Sequence, residues 1–333
     1  MQQRKKRKTR RVTDRPDDLK TIASDQKSGR RKRFVIASVV LVIVLIIVGI
    51  FSYQTYIAPF QRPVLTIDNE VIRMGYFLKR ASIVGGDITT TLQTLASEEV
   101  IKLRAPEFGI EVTTQDIDDA LLYVATTSIS GNTTRNITDT EFNEWYSQEL
   151  DKTGLSNAEY RENIGTNLLT YYLKQYIAQN IPSVGEQVYL NVIVLANSAD
   201  AESAKARIEA GESFADIAHE VSLDTQAEEN GGDYGWVPRY VFPYDSTIFG
   251  LDIGEVSDPV ATDPESPDTG QYLLFMVSEI DPNREIDDES MQTIASNAFD
   301  GWLAQEISSH DIEINYDFNN AKNRAWIEWQ LAK

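Results

Sequence analysis

The segment Val221-Ser-Leu-Asp-Thr-Gln-Ala-Glu-Glu-Asn-Gly-Gly-Asp-Tyr-Gly-Trp236 decides how this 333-residue chain is read. It joins one candidate acid, Asp224, to a glycine-dense turn at Gly231–Gly235 and then to Trp236. Ile248-Phe-Gly-Leu-Asp-Ile-Gly-Glu-Val-Ser-Asp-Pro-Val260 follows shortly. Working outward, Gln187–Leu195 is strand-like in its β-branched content. Ala199–Ala210 reads as a helix closed by Gly211, and Ser213–Glu220 as a second helix. Pro243 can open another short helix to Phe249, since proline suits the first helical position. Gly254–Val260 gives a turn and a short strand, and Gln271–Ile280 the last strand.

Helical segments flank this unit on both sides. After Pro59 and Pro63, Val64–Ile72 reads as a small hairpin with Asp68-Asn69 at its turn. Helices then run to about residue 181, with capping boxes at Thr138-x-x-Glu141 and Ser156-x-x-Glu159 and a further start near Thr113 or Thr114. The run from Ser156 places Tyr160, Ile164, Leu168, Leu169, Tyr172, Leu173, Tyr176 and Ile177 at helical spacing. This stripe suits an ordinary bundle core and also suits an exposed cradle for unfolded chains. Asn132-Thr-Thr and Asn136-Ile-Thr match glycosylation sequons and are read as a solvated polar loop. Asp287–Ile307 is a helix expected to pack back on the earlier bundle, which would make 185–282 an insertion in a helical domain.

The net charge of −20 hides an asymmetry. The first 33 residues carry 14 Lys/Arg against four Asp, and the remainder 17 Lys/Arg against 47 Asp/Glu. Between them lies the uncharged run Phe34–Phe51, long enough to cross a hydrocarbon core of about 30 Å. Tyr53 and Tyr56 follow as interfacial aromatics, and Arg30–Arg33 place the N-terminus in the cytoplasm by the positive-inside rule. A cleaved signal is disfavoured by the length of the apolar run and by the lack of an A-x-A-like site. The basic tail lacks interleaved aromatics, so no nucleic-acid partner is expected; it reads as a disordered topogenic arm with some attraction to anionic headgroups. The chain has no Cys, which removes disulfides, thiolate catalysis and Cys metal sites.

The ordered elements Gly211-Glu-Ser-Phe214, Asp216-Ile-Ala218, Ser222-Leu-Asp224, Gly231-Gly-Asp-Tyr-Gly-Trp236 and Gly254-Glu-Val-Ser-Asp-Pro-Val260 resemble the parvulin (PpiC-type) peptidyl-prolyl isomerases. The resemblance covers nearly all of 185–282. The layout around it is similar to the SurA/PrsA/PpiD foldase group, on pattern more than motif. The implied fold is α+β: a single N-terminal transmembrane helix and a helical SurA-N-like chaperone domain with an inserted parvulin domain of βαααβαββ type. The expected divisions are a tail at 1–33, a signal anchor at 34–54, a helical chaperone-like domain at 64–183, the parvulin domain at 185–282 and C-terminal helices at 286–333.

By the same resemblance, Asp224 stands at the position that is Asp or Cys in active parvulins; S-x-D before a polar loop also suits a capping aspartate. Tyr240, Tyr244 and Phe249 fall where parvulins place the apolar wall of the proline slot, and core packing also explains Phe249. Trp236 is read as structural. Two family histidines are replaced: the first-strand position is Asn191, and the closing-strand position is Tyr272 or Leu273, depending on register. Asn191 can still donate and accept hydrogen bonds near Asp224, and Thr269 can supply a hydroxyl. His219 is read as an ordinary helix residue. No basic triplet accompanies Arg239, so phospho-directed specificity is not expected. The acidic exterior favours neutral or basic clients weakly, and equally serves solubility.

The leading expectation is a membrane-anchored extracytoplasmic foldase, single-pass with its N-terminus in the cytoplasm. It would isomerise prolyl bonds without a cofactor and act on unfolded or proline-containing polypeptides. The competing expectation is a non-catalytic holdase or interaction protein whose parvulin unit has lost turnover. A hydrolase or metal enzyme lacks sequence support: there is no G-x-S-x-G or H-E-x-x-H, and the two His are unclustered.

Overall fold

The computed structural model describes residues 18–131, 136–264 and 270–332, with side chains from Val35 onward. Helix α1 (Asp18–Tyr56) contains the apolar stretch Val35–Tyr56, whose mean hydropathy is 3.2 and none of which is buried against protein. Its length and composition suit a membrane span.

The hairpin expected after the linker is formed by β1 (Pro63–Ile67) and β2 (Glu70–Arg73), with Asp68 at φ 51° in the turn. Aspartate tolerates this left-handed conformation better than most residues. Five helices follow: α2 (Met74–Val84), α3 (Ile88–Arg104), α4 (Thr114–Ser130), α5 (Asp139–Thr153) and α6 (Asn157–Gln179). Full capping boxes open three of them, at Thr113/Asp116, Thr138/Glu141 and Ser156/Glu159. In each, the hydroxyl accepts an otherwise orphaned amide of the first turn while the acid accepts the cap residue's own N–H. The aromatic stripe of α6 divides. Tyr160 and Leu173 are buried and Tyr172 half-buried, whereas Tyr176 is 41% exposed; Tyr171, which is not part of the stripe, is 57% exposed. The second potential sequon, Asn136, precedes α5; Asn132 lies outside the described residues.

The chain then builds a four-stranded antiparallel sheet. Its elements are β3 (Val184–Leu195), α7 (Ser198–Glu209), α8 (Phe214–Val221), α9 (Thr225–Asn230), β4 (Asp233–Pro238), α10 (Asp245–Ile248), β5 (Val260–Ala261) and β6 (Tyr272–Glu285). The spatial order is β4-β3-β6-β5. Its two central strands are also the first and last in sequence, and Val184 pairs with Glu285. The chain therefore enters and leaves this unit through one ribbon. Gln187, only 2% exposed, ties the ribbon by donating to the Glu285 carbonyl at 2.9 Å.

Each face of this sheet carries its own core. Ile193, Leu195 and Leu274 pack with Ala201, Ala204, Phe214 and Ile217 of α7 and α8. On the other face Val188, Leu190, Phe275 and Val277 pack with Ile248 and the partly buried Tyr244 and Phe249.

After the ribbon come α11 (Asp288–Ser309), β7 (Ile312–Ile314) and α12 (Ala321–Leu331). Helix α11 packs on α6 and α3, and α12 on α2. The sequence leads one to expect only helices here, and β7 corrects that: it joins the N-terminal hairpin as a third strand in the order β2-β1-β7. Three residues with one alternation are too short to signal a strand, and this one is fixed by pairing Ile312 with Ile67. His310, just before it, contacts Asp68 at 2.7 Å and stitches the C-terminal segment to the hairpin turn.

Candidate functional site

The Asp224 segment is held at the end of β3. The Ser222 hydroxyl, buried, accepts the amides of Val194 and Asp224, each at 3.3 Å. The Leu223 amide donates to the Val194 carbonyl at 2.7 Å. Asp224 is exposed and opens α9 as its N-cap, with Oδ1 accepting the Gln226 amide at 3.0 Å. Its carboxylate thus has a capping duty in addition to any role toward a ligand.

The two glycines after α9 are required by space as well as by torsion. At Gly231 (φ +74°) a Cβ would lie 2.8 Å from Ala215 Cβ, and at Gly232 (φ +81°) 2.8 Å from the Val192 carbonyl and 3.0 Å from Phe214. The chain turns back here against α8 and β3, and the Gly232 carbonyl accepts the Val192 amide at 2.8 Å. His219 belongs to this support: its Nδ1 contacts the Glu228 carbonyl, linking α8 to α9.

Beyond the glycines, Asp233 pairs with Asn191 and Gly235 with Leu190, so Tyr234 between them has no partner on β3. A bulge of this kind re-aims a side chain. Tyr234 is 56% exposed and meets Phe242 edge-on at 5.0 Å. Partial burial raises its phenol pKa, and the negative charges of Asp224 and Glu289 raise it further. Tyr234 thus projects from a bulge on the strand that follows the Asp224 connector. Sequence reasoning misses it, although the glycine directly after it is a usable bulge signal. Glu289 comes from α11, and no local pattern names it.

The other expected residues are divided between the two faces. Asn191 pairs with Met276 and Tyr272 with Leu195, which places both on the α7/α8 face. Leu273 lies on the opposite face with Tyr244 and Phe249. The Asn191 amide donates to Ser278 Oγ at 3.2 Å and to the Met276 carbonyl at 3.4 Å. Tyr244 packs its ring on Phe275 at 5.5 Å, and Phe249 lies under the Arg239 guanidinium at 4.2 Å. Thr269 lies outside the described residues. Trp236 sits between Tyr189, edge-on at 5.5 Å, and the Arg284 guanidinium at 4.3 Å, a packed position.

Tyr240, two residues before Phe242, is 65% exposed and at φ 69°. A left-handed conformation at a bulky residue costs about 1–3 kcal/mol. Its amide donates to Asp245 Oδ1 at 2.9 Å, and its carbonyl accepts from Asn297 Nδ2 at 2.8 Å. Burial raises the Asp245 pKa, against the opposing pull of the Tyr240 amide and Arg239. The arrangement offers an exposed acid, Asp224, and the exposed aromatic rings of Tyr234 and Tyr240.

Residues 196–265 match the PpiC-type PPIase domain of the rotamase family, so the sheet unit is a parvulin-type domain. The chain is similar to the periplasmic chaperone PpiD of Haemophilus influenzae, 36% identical over 93 residues that cover 27% of this chain and 14% of that protein. It is also similar to the foldase protein PrsA of Geobacillus kaustophilus, 34% identical over 93 residues covering 27% of this chain and 32% of that one. The matched region is thus under a third of either relative. A crystal structure of PrsA from Bacillus anthracis aligns over 65% of this chain and 93% of its own, with 18% identity and a TM-score of 0.41. The family match ends short of β6 and begins after Asn191, so it excludes both strands on which the family's histidines are expected.

Proposed function

We propose that this chain is a membrane-anchored foldase whose parvulin-type domain isomerises prolyl bonds in unfolded polypeptides on the extracytoplasmic side. The observation that carries the reading is the Ser222–Gly232 connector, which the Ser222 hydroxyl and the two glycines pin against β3 and α8 with Asp224 exposed on it. Residues 34–54 would anchor the chain, with the basic tail in the cytoplasm, and residues 64–183 and 286–333 would form the client-holding body around the 185–282 insert. The exposed rings of Tyr171 and Tyr176 suit that holding role.

Prolyl isomerisation makes and breaks no bond; it must lower a rotational barrier of about 18–20 kcal/mol. An apolar wall that grips the proline ring lets the preceding carbonyl swing, and polar groups matched to the twisted amide lower the barrier. Tyr234, Phe242 and Tyr240 would supply the wall. Among the described residues, Asp224 Oδ2 has no hydrogen-bond partner and would face the rotating amide. Asn191, tied to Ser278, would support the strand rather than titrate.

The test is proline-limited refolding of a model protein with the full chain in lipid nanodiscs. Wild type should accelerate the slow phase, and Asp224→Ala should reduce that acceleration about tenfold or more. Equal rates in wild type, variant and blank would reject the isomerase reading. One observation favours a second reading, a non-catalytic holdase: the Asp224 carboxylate already caps α9 and the Asn191 amide is already engaged. Suppressed aggregation without faster refolding would select it.

A further inference from the structure

Tyr240 is kept in a backbone conformation that an aromatic residue disfavours, and its exposed ring receives no core packing in return. Both peptide groups flanking its Cα are held by side chains instead. Asp245, from the first turn of α10, takes the amide at 2.9 Å. Asn297 gives to the carbonyl at 2.8 Å, and it comes from α11, 57 residues further along and outside the sheet unit. The preceding residue is fixed as well, since Arg239 Nε donates to Glu186 at 2.5 Å and its guanidinium covers Phe249. Helix α11 thus reaches from the helical body to a residue two positions before Phe242, whose ring meets Tyr234 edge-on at 5.0 Å.

We propose that Asn297 is a positioning residue for prolyl-peptide binding: from α11 it locks the Tyr240 peptide unit and sets the Tyr240 ring at the mouth of the site. Substrate affinity of the parvulin-type unit then depends on the helical body, not on the sheet unit alone. This rests on the prolyl-site reading for what the ring meets, while the lock itself stands on geometry. An isosteric Asn297→Asp exchange removes the donor and sets a carboxylate against the Tyr240 carbonyl, so it should behave no better than Asn297→Ala. Glycine at 240 adopts a positive φ without strain and carries no ring, so it should make Asn297 irrelevant to binding.

The experiment uses the full chain in nanodiscs with a short Xaa-Pro peptide and a fluorotyrosine resonance assigned to Tyr240. Asn297→Ala and Asn297→Asp should raise KM about three- to tenfold, the span of one hydrogen bond, with kcat within about twofold. In a Tyr240→Gly background, Asn297→Ala should leave KM unchanged. An unchanged KM in the single variants, or an equal rise in both backgrounds, would overturn the proposal, because a merely structural contact acts independently of the ring. If wild type does not accelerate isomerisation, the functional reading fails separately, and the lock is judged on the fluorine signal. Asn297→Ala must then shift and broaden the Tyr240 resonance while the melting temperature holds; an unmoved resonance overturns it.

Discussion

The sheet unit and the helical body are organised by different means. In the sheet unit the decisive junction is made of backbone and glycine: Gly231 and Gly232 sit where any Cβ collides with α8 or β3. In the body, ion pairs link one helix to another, and one of them is drawn inward. Arg80 is 5% exposed and grips Glu98 through two bonds of 2.6 and 2.8 Å. Lys102 bridges Glu99 and Glu162, and Lys79 reaches Glu159 at 2.7 Å. A junction that only glycine can satisfy leaves a motif in the sequence. Pairs that join residues 18, 60 and 80 positions apart leave none.

The largest effect should come from Gly232→Ala. Positive-φ strain and a 2.8 Å approach to a strand carbonyl act together there, and about 4 kcal/mol of destabilisation is expected. Because the strain is local to the sheet unit, Trp236 fluorescence, read in a background with the other four tryptophans replaced by phenylalanine, should lose its folded signature at a lower temperature, while the far-UV signal of the body holds. Loss of both signals in one transition would show that the two regions are not separable in stability.

Arg80→Ala should cost about 3 kcal/mol, because it strands the mostly buried Glu98 carboxylate. The paired exchange Arg80→Met with Glu98→Leu should recover most of that loss in a thermal melt, since two desolvated charges are replaced by apolar volume. The buried Arg80 Nε, which lacks a hydrogen-bond partner, adds to the cost of keeping the pair. A paired variant no more stable than Arg80→Ala would mean that the ion pair itself, not its desolvation, sets the balance.

The contrast also explains what can be read in advance. The glycine junction and the capping boxes at Thr138/Glu141 and Ser156/Glu159 are local rules, and each is visible as a spacing of a few residues. Tyr234 escapes a sequence reading because strand alternation hides a bulge, although the Gly235 that follows it carries the signal. Strand β7 and the contact of Asn297 with Tyr240 are out of reach for another reason. They exist only after α11 has folded back, and a residue that acts across 57 positions of chain has no periodicity to betray it.

The smallest effect separates the regions by pH. Several carboxyls of the helical body are held below their ordinary values by hydrogen bonds: Asp68 by His310, Asp87 by Thr90, Asp116 by Thr113 and Asp287 by Ser290. In Glu159 burial opposes this, and Lys79 and Ser156 outweigh it; in Glu99 burial prevails over Lys102 and raises the value. A carboxyl with a depressed folded pKa stabilises the fold above its unfolded value, near 3.8 for Asp, and that stability is lost as pH falls through the lower folded value. In the sheet unit Glu212 is lowered by Arg207, but Asp245 is moved the opposite way by burial. Its raised pKa favours the folded state on acidification, and that contribution is lost only as pH rises through the folded value. Acid titration below about pH 4 should therefore reduce the helical far-UV signal before the Trp236 environment changes, and Asp116→Asn should flatten the acid limb of the body alone. If Trp236 responded first, the sheet unit would be the acid-labile region, and the assignment of side-chain charge to the body and backbone constraint to the sheet would have to be reversed.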